Sequence, residues 1–395
     1  MTASAPLSML PALSADEAEH SARLVAFLRE HIAAAGGWID FQSFMDVALY
    51  TPGLGYYSAG SAKLGRAGDF VTAPEISDLF SRCVARQCAE ILAVLGGGDI
   101  LEFGAGSGRM AAAVLTELAA LGIGPHRYVI LEVSADLRDR QRQRLGALPA
   151  ALANRVCWLE RLPPQALRGV VLANEVLDAL PCHRFVLHAD GVRALGVALG
   201  PDGALVSAER QADTALRTAC LQLTQELPQP LPEGYRSELC MRLEPWVAGA
   251  AGCLERGGIL LFDYGLPRTQ YYHPQRREGT LRCHYKHRAH DDPLIHVGVQ
   301  DITAWVDFTR VAEAATAAQL DVLGFATQAA FLLGNGITAA MSVATTDAER
   351  ARLATEARQL LLPGEMGEAF KVMALGRGVD APLAGFTHQD LRASL

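Results

Sequence analysis

One short stretch, residues 100–108, constrains the fold of this chain more than any other. It reads Ile-Leu-Glu-Phe-Gly-Ala-Gly-Ser-Gly and joins an apolar run, typical of a buried strand, to a helix that begins near Arg109. Glycines let the backbone come close to a ligand, and the N–H groups and dipole at the start of a helix attract polar ligand groups. The stretch therefore predicts a turn that receives a nucleotide-like ligand.

The spacing of the glycines favours one kind of nucleotide. A dinucleotide fingerprint requires G-x-G-x-x-G/A, but Arg109 stands at the last of these positions and the third glycine comes one residue earlier, at Gly108. The resulting G-x-G-x-G pattern, with Glu102 two residues before Gly104, is similar to the S-adenosylmethionine (SAM) loop of class I methyltransferases. A glycine motif alone is weak evidence, so NAD stays open at this point.

A regular alternation of strand-type and helix-type patterns follows the glycine turn. Such alternation predicts an α/β fold in which helices cover both faces of a mostly parallel sheet. The two last strand-type runs come late in the chain and are expected to join the same sheet. The seven predicted strands lie at 100–103, 128–132, 156–159, 169–173, 259–263, 320–326 and 370–375.

Irregular stretches divide the chain further. Residues 51–75 are rich in glycine and aromatics and show neither the period of a helix nor that of a strand. Because this stretch is longer than ordinary loops, we predict that it is a functional covering loop. It belongs to a predicted N-terminal helical extension over 1–95. The remaining residues, 96–395, are predicted to form a Rossmann-like core. This core carries a strand-rich insert over 182–255 and an irregular, lid-like loop over 264–307.

Composition limits the possible functions. The chain has 395 residues and a net charge of −8, which argues against a nucleic-acid surface and leaves room for a basic protein substrate. No apolar run reaches the roughly 18 residues of a membrane span, and the first residues lack signal-peptide or transit-peptide features. The eight cysteines contain no C-x-x-C, so they favour reduced thiols. We expect a cytoplasmic protein without a membrane span.

Two carboxylates near the glycine turn are candidates for ligand contact. Glu132 ends the second predicted strand, where a carboxylate can accept both ribose hydroxyls of a nucleoside, and this supports SAM and NAD equally. In the alternative interpretation, Glu132 is simply an exposed glutamate at the end of a strand. Glu102 is predicted to be held by the loop backbone or by an amino group of the cofactor, and its alternative is a carboxylate that only braces the loop.

The segment from Asn174 to Asp178 carries the predicted chemistry. It directly follows an apolar strand, so Asn174 and Glu175 lie at the carboxyl edge of the sheet, where ligands bind in open α/β folds. If the methyl acceptor is an arginine, whose pKa lies above about 12, carboxylates are needed to bind the planar cation and orient one nitrogen. We predict this role for Glu175 and Asp178, with Asp69 from the covering loop. In the alternative interpretation, Glu175 and Asp178 cap a short helix.

A histidine-rich stretch over 284–296 has several interpretations. Four histidines lie close to two aspartates, but cysteine ligands other than Cys283 and the helical histidine spacing of structural zinc sites are missing, so we predict no metal site. The stretch is either a polar loop or a lid over cofactor and substrate. Its basic and aromatic neighbours could also touch RNA, but nothing else in the sequence supports a nucleic-acid partner.

Motifs along nearly the whole chain resemble the MidA-like family of SAM-dependent methyltransferases. The family's glycine loop often has proline after its first glycine, where this chain has Ala105, and we expect SAM binding to persist. The matching stretches are 56–57, 68–77, 102–108, 131–134, 173–181, 263–265, 279–282, 290–293, 300–303, 306–309 and 366–372.

The resemblance implies a class I methyltransferase fold, SAM as cofactor and methylation of a protein arginine. Mitochondrial members of the family methylate a subunit of respiratory complex I during its assembly, so such a subunit is one expected partner. A methyltransferase for a small molecule or another protein side chain, and a non-catalytic assembly factor, stay as alternatives. The residues predicted to contact the cofactor are Glu102, Gly104, Gly106, Gly108, Glu132, Ser134 and Asn174, with Gly68, Thr72, Pro74 and Glu75 closing over it.

Overall fold

The computed structural model describes residues 10–58 and 71–395. Gly68 and Asp69, predicted above to contact cofactor and substrate, lie outside the described residues. The described strands are β1 (Trp38–Asp40), β2 (Asp99–Phe103), β3 (Tyr128–Leu131), β4 (Val156–Leu159), β5 (Leu167–Asn174), β6 (His183–His188), β7 (Gly191–Leu199), β8 (Leu205–Gln211), β9 (Arg236–Leu239), β10 (Leu254–Leu266), β11 (Arg282–Tyr285), β12 (Arg288–His290), β13 (Asp301–Thr303), β14 (Val306–Asp307), β15 (Asp321–Thr327) and β16 (Phe370–Arg377). The described α-helices are α1 (Ala15–Ala34), α2 (Phe41–Tyr50), α3 (Ala73–Ile76), α4 (Asp78–Leu95), α5 (Arg109–Ala120), α6 (Ala135–Gly146), α7 (Ala150–Ala153), α8 (Thr214–Glu226), α9 (Leu243–Gly252), α10 (Arg268–Tyr271), α11 (Phe308–Ala317), α12 (Gln328–Gly334), α13 (Ile337–Met341), α14 (Asp347–Leu361) and α15 (Met366–Ala369).

The central sheet has the strand order β15-β16-β10-β5-β2-β3-β4. The five strands from β10 to β4 are parallel to one another, whereas β16 runs antiparallel to both of its neighbours. The two-residue strand β14 pairs with the end of β10 and adds an eighth strand. The predicted α/β fold with a seven-stranded, mostly parallel sheet is therefore confirmed, with one short strand added.

Helices cover both faces of this sheet. Since side chains alternate along a strand, Val170 and Leu172 of β5 belong to one hydrophobic cluster, while Val171 and Ala173 belong to another. The first cluster includes buried residues of α4 and α5, and the second includes those of α9 and α11. With both faces covered, the carboxyl edge of the parallel strands is the place where a ligand can approach. Among the described helices, none is long and apolar enough to cross a membrane.

A second, antiparallel sheet lies outside the core. Its order is β1-β7-β6-β9, and β8 pairs with the other edge of β7. β1 comes from the N-terminal part of the chain, and its Trp38 lies opposite Ala198 of β7. Residues from both sides of the glycine turn thus form one sheet. The division of the chain at residue 95 stays a prediction.

The stretch after β10 differs from its prediction. The sequence predicts an irregular loop over 264–307, but α10 and the strands β11 to β14 lie there. β11 pairs with β12 and with β13 in a small antiparallel sheet. These strands are two to four residues long, which is too short for a period of two to be recognised in the sequence. Part of the histidine-rich stretch is therefore a hairpin.

Candidate active site

The glycine turn lies between β2 and α5, as the sequence predicts. Gly104, Gly106 and Gly108 have φ angles of 62°, 53° and 77°, in the left-handed region that favours glycine. A Cβ on Gly108 would lie 3.3 Å from the side chain of Gln141, so the turn also packs closely against α6. α5 begins directly after Gly108, and the N–H groups of its first turn can serve a ligand.

Glu132 directly follows β3 and is held by two hydrogen bonds. Its Oε1 accepts the backbone N–H of Ser134 at 2.9 Å, and its Oε2 accepts Gln141 Nε2 at 3.1 Å. Gln141 Nε2 also donates to the carbonyl of Gly106, which connects the carboxylate to the glycine turn. Each carboxylate oxygen can accept a further hydrogen bond. Glu132 can therefore still receive the hydroxyl groups of a ribose.

Glu102 lies in the interior next to the glycine turn. It is 1% exposed, and the Tyr128 hydroxyl donates to its Oε2 at 2.7 Å. Burial raises the pKa of Glu102 to about 7, although the hydrogen bond from Tyr128 opposes this shift. The prediction named the loop backbone or the cofactor as the partner of Glu102, so Tyr128 is a partner that the sequence did not reveal.

A cavity of about 300 Å³, called here the smaller cavity, lies at the glycine turn. Asn174 Oδ1 is buried and has no hydrogen-bond partner among the described residues, so a donor on a ligand would satisfy it. Gly108 is not part of the lining. The predicted cofactor-binding residues that line this cavity are Thr72, Pro74, Glu75, Glu102, Gly104, Gly106, Glu132, Ser134 and Asn174.

The described end of the covering segment contacts the glycine turn directly. α3 carries Glu75, and the hydroxyl of Ser107 in the turn donates to Glu75 Oε1. Arg109 Nε donates to Asp78 Oδ1 at 2.9 Å, which connects the start of α5 to the start of α4. The turn is thus held from the side of the covering segment as well as from α6.

Glu175 has an unusual backbone conformation at the end of β5. Its φ angle is 53°, in a region that few residues other than glycine adopt and that is often retained at functional sites. Its N–H donates to the carbonyl of Phe262 at 2.8 Å, and Asn174 Nδ2 donates to Glu175 Oε1 at 3.2 Å. Residues 175–182, all of them described, form turns and no helix. The interpretation of Glu175 and Asp178 as helix caps is therefore wrong.

Two buried aspartates accompany Glu175. Asp263 lies in β10, and its Oδ2 accepts the backbone N–H groups of Leu177 and Asp178 at 2.9 and 3.2 Å. Asp178 is 4% exposed, and its Oδ1 has no hydrogen-bond partner in the described parts of the chain. Asp263 therefore holds the turn on which Glu175 and Asp178 stand.

These carboxyl groups retain their protons to a higher pH than free carboxyl groups do. Desolvation, together with the charge of Asp178, raises the pKa of Glu175 to about 8. Desolvation raises the pKa of Asp178 to about 6. The pKa of Asp263 lies well above its usual range, through desolvation and the charges of Asp178 and Glu175. A cation among these groups favours their ionised forms, so the cluster suits a positively charged ligand.

A second cavity, of about 820 Å³ and called here the larger cavity, adjoins the first. Tyr57, Glu75 and Glu175 line both cavities. Asp178 and Asp301 also line the larger cavity. Part of its remaining wall comes from the β11–β12 hairpin and from α14 and α15. A ligand in the larger cavity can therefore meet a ligand in the smaller one beside Glu175.

Tyr57 and Asp301 also line the larger cavity, although the sequence predicts no role for either residue. The Tyr57 hydroxyl donates to Asp301 Oδ1 at 2.9 Å. Tyr57 lies within residues 51–75, which show neither a helical nor a strand period, and Asp301 lies in a stretch predicted to be irregular. Neither residue therefore stood at the end of a recognisable strand.

The histidines of the β11–β12 hairpin are spread over different surroundings. His284 and His287 line the larger cavity, whereas His290 is buried. Desolvation lowers the pKa of His284 to about 4, so this side chain is neutral at physiological pH. Within the described ranges, no group of three or more His, Cys, Asp and Glu side chains is placed to hold a metal ion. The hairpin acts as a wall of the larger cavity.

The fold and this site together define a class I SAM-dependent methyltransferase: a glycine turn before a helix, a carboxylate after the next strand and a second cavity at the same sheet edge. Residues 83–326 match the model of the S-adenosyl-L-methionine-dependent methyltransferase family. The chain belongs to this family, in its MidA-like branch, as the sequence motifs indicated.

Two curated relatives match over most of their length. The Drosophila melanogaster protein named "Protein arginine methyltransferase NDUFAF7 homolog, mitochondrial" is 30% identical, with 97% of this chain and 92% of the relative covered. The Danio rerio protein named "Protein arginine methyltransferase NDUFAF7, mitochondrial" is 28% identical, with coverage of 92% and 93%. The resemblance inferred from the motifs is confirmed by both.

Two crystal structures of Burkholderia thailandensis proteins match the whole fold at 43% identity. One of them, described as bound to S-adenosyl-homocysteine, has a TM-score of 0.93 and covers 98% of this chain and 100% of its own. The other, a native structure, has a TM-score of 0.90 with the same coverage. SAM is therefore the cofactor of this methyltransferase.

Proposed function

We propose that this enzyme transfers the methyl group of SAM to an arginine side chain of a protein. One observation carries the proposal: Glu175 borders both cavities and belongs to a group of carboxylates, which are the side chains that bind a planar guanidinium. The names of the Drosophila melanogaster and Danio rerio relatives support the same acceptor. A small molecule or another side chain as acceptor is the alternative, and a cavity without converging carboxylates would favour it.

The smaller cavity is the proposed binding site of SAM. The glycine turn allows close approach, Glu132 accepts the ribose hydroxyls, and Asn174 Oδ1 accepts a hydrogen bond from an amino group. When bound, SAM supplies a methyl group on a positively charged sulfur. Gly68 keeps its predicted place in the covering segment as part of this proposal.

The larger cavity is the proposed site of the arginine. Glu175 and Asp178 bind the guanidinium and orient one of its nitrogens toward the smaller cavity. Since Asp263 already holds the turn that carries both residues, the carboxylates need little rearrangement when the substrate binds. The nitrogen that receives the methyl group gives up one proton, which Glu175 accepts. Asp69 stays a predicted further carboxylate of this site.

The proposed substrate is a protein, with a subunit of a respiratory complex as first candidate because of the family resemblance. The proposed compartment is the cytoplasm. The eight cysteines, none of them in a disulfide, support a reducing environment. The net charge of −8 gives no support to a nucleic-acid partner.

A methyl-transfer assay tests the proposal. Purified enzyme and labelled SAM are incubated with dissociated subunits of respiratory complex I, and mass spectrometry identifies the modified residue. We expect the label on an arginine of one subunit. Label on another type of residue, or transfer to small molecules alone, would contradict the proposal.

The rate of this reaction is expected to depend on pH through the ionisation of Glu175 and Asp178. Protonated Glu175 and Asp178 cannot pair with a guanidinium, which itself stays charged throughout the range. With a pKa of about 8 for Glu175, kcat/KM should fall about tenfold for each pH unit below 8. Below pH 6 the fall becomes steeper, since Asp178 has a pKa of about 6. Initial rates between pH 5.5 and pH 9, with SAM affinity measured at each pH, check this; a flat profile between 6 and 8 contradicts it.

A further inference from the structure

β13 brings another carboxylate to the larger cavity. Asp301, the first residue of this strand, is 2% exposed and lines the cavity together with Glu175 and Asp178. Its Oδ1 accepts the Tyr57 hydroxyl at 2.9 Å and the backbone N–H of Ile302 at 3.0 Å. Two donors on one oxygen fix the orientation of the carboxylate before any ligand binds.

Tyr57 connects Asp301 to the boundary between the two cavities. Its ring stacks on Tyr50 with 5.6 Å between centroids, and the Tyr50 hydroxyl donates to the carbonyl of Ala179 at 2.8 Å. Ala179 lies in the turn that carries Glu175. The two tyrosines therefore fix Asp301 relative to this turn, although β13 is separate from the central sheet.

The charge of Asp301 also acts on its neighbours. The negative charge of Asp301 contributes to the raised pKa of Glu175 and of the Tyr57 hydroxyl. Charges act on one another more strongly in a medium of low polarity than in water. Without a cation, several acids in one place repel one another, and a bound cation relieves this repulsion.

We propose that Asp301 is a third carboxylate that contacts the substrate guanidinium, and that Tyr57 is its positioning residue. This inference rests on the proposed function. A guanidinium has five N–H donors, which is more than one carboxylate can satisfy. Beside Glu175 and Asp178, a third carboxylate therefore adds hydrogen bonds and selectivity for the cation. Citrulline has the same shape as arginine but is neutral and carries a carbonyl oxygen in place of one nitrogen. A fixed Asp301 carboxylate repels that oxygen, so it selects against citrulline.

Peptide binding to the full chain tests the inference. The probes are acetyl-Gly-Arg-Gly-amide and the same peptide with citrulline, titrated calorimetrically at pH 8.5 into protein saturated with S-adenosyl-homocysteine. We expect unmodified protein to bind the arginine peptide at least about 50-fold more tightly. Asp301→Asn should reduce this ratio about tenfold and Tyr57→Phe about threefold, with the affinity for S-adenosyl-homocysteine unchanged within about twofold.

A matched control and a second readout separate binding from structure. Asp99→Asn makes the same change at a buried carboxylate paired with Arg127, at the opposite end of β2 from the glycine turn, and should leave the ratio unchanged. Asp301→Asn should also move the pH midpoint of arginine-peptide binding to lower pH, because one negative charge near Glu175 is gone. Because this shift follows from the charge of Asp301 whether or not it touches the guanidinium, the ratio of the two peptide affinities decides whether it does.

The outcomes of this experiment separate the role of Asp301 from the proposed function of the enzyme. If Asp301→Asn discriminates between the peptides as well as unmodified protein does, the inference is wrong and the proposed function stands. If unmodified protein shows no preference for arginine, both are wrong. If Asp301→Asn does not fold, Tyr57→Phe decides, since it leaves the carboxylate in place, and an unchanged ratio in that variant overturns the inference.

Discussion

Replacing Glu175 by glutamine is expected to lower kcat/KM for an arginine substrate about 10²- to 10³-fold, while the affinity for S-adenosyl-homocysteine stays within about twofold. Glutamine has the size of glutamate but no charge, so the guanidinium loses an ionic partner where the two cavities meet. It also cannot accept the proton that the reaction releases. Initial rates with labelled SAM and calorimetry with S-adenosyl-homocysteine measure the two quantities separately.

Thermal unfolding supplies a second measurement on Glu175→Gln. The pKa of Glu175 is raised to about 8 in the folded protein, so its ionisation destabilises the fold as the pH rises from the ordinary value of 4.5 through 8. Glu175→Gln should therefore melt about 1–3 °C higher than unmodified protein at pH 9 and at the same temperature near pH 4. Glu117→Gln, at a buried glutamate paired with Arg82 and Arg86, is the control and should keep the rate. Unchanged turnover in Glu175→Gln would assign its carboxylate to the geometry of the turn alone.

Replacing Glu132 by alanine is expected to weaken binding of SAM and S-adenosyl-homocysteine about 10²- to 10⁴-fold. Each hydrogen bond from a ribose hydroxyl to a charged acceptor contributes about 1.5–3 kcal/mol, and alanine removes both. The change also releases Gln141, which donates to Glu132 and to the glycine turn. Calorimetric titration with S-adenosyl-homocysteine measures the loss.

Glu132→Gln is the matched variant for this prediction. It retains the length of the side chain and one acceptor oxygen, so it should bind S-adenosyl-homocysteine about tenfold more weakly than unmodified protein. If Glu132→Ala binds as tightly as unmodified protein, Glu132 does not contact the ribose. If Glu132→Gln and Glu132→Ala are equally weak, the charge of Glu132 matters more than its hydrogen bonds to Ser134 and Gln141.

Most of the residues that line the smaller cavity could be predicted because their signals are local in the sequence. The position of Gly108 favoured a SAM turn over a dinucleotide turn, and Glu132 follows a short apolar run that is typical of a buried strand. The alternation of strand-type and helix-type patterns after residue 100 predicted the central sheet, because each of these patterns is also local in the sequence. The partner of Glu102 could not be predicted, because Tyr128 comes from the neighbouring strand and the contact depends on their register.

The carboxylates that line the larger cavity could be predicted only where a strand ends. Glu175 and Asp178 directly follow β5, and Asp263 follows the apolar run of β10, so the same reasoning would have identified Asp263. Asp301 reaches the site through a three-residue strand whose place is set by pairing with β11. No local pattern marks such a strand, and the pairing of β1 with β7 escaped prediction for the same reason.

The position of β16 has a consequence for biosynthesis. This strand is the last of the central sheet along the chain, yet it lies between β10 and β15 and pairs with both. Until residues 370–377 have been made, β10 and β15 each present an open edge, and open edges pair readily with other chains. The growing polypeptide thus completes its glycine turn early but remains prone to aggregation until its final strand is inserted.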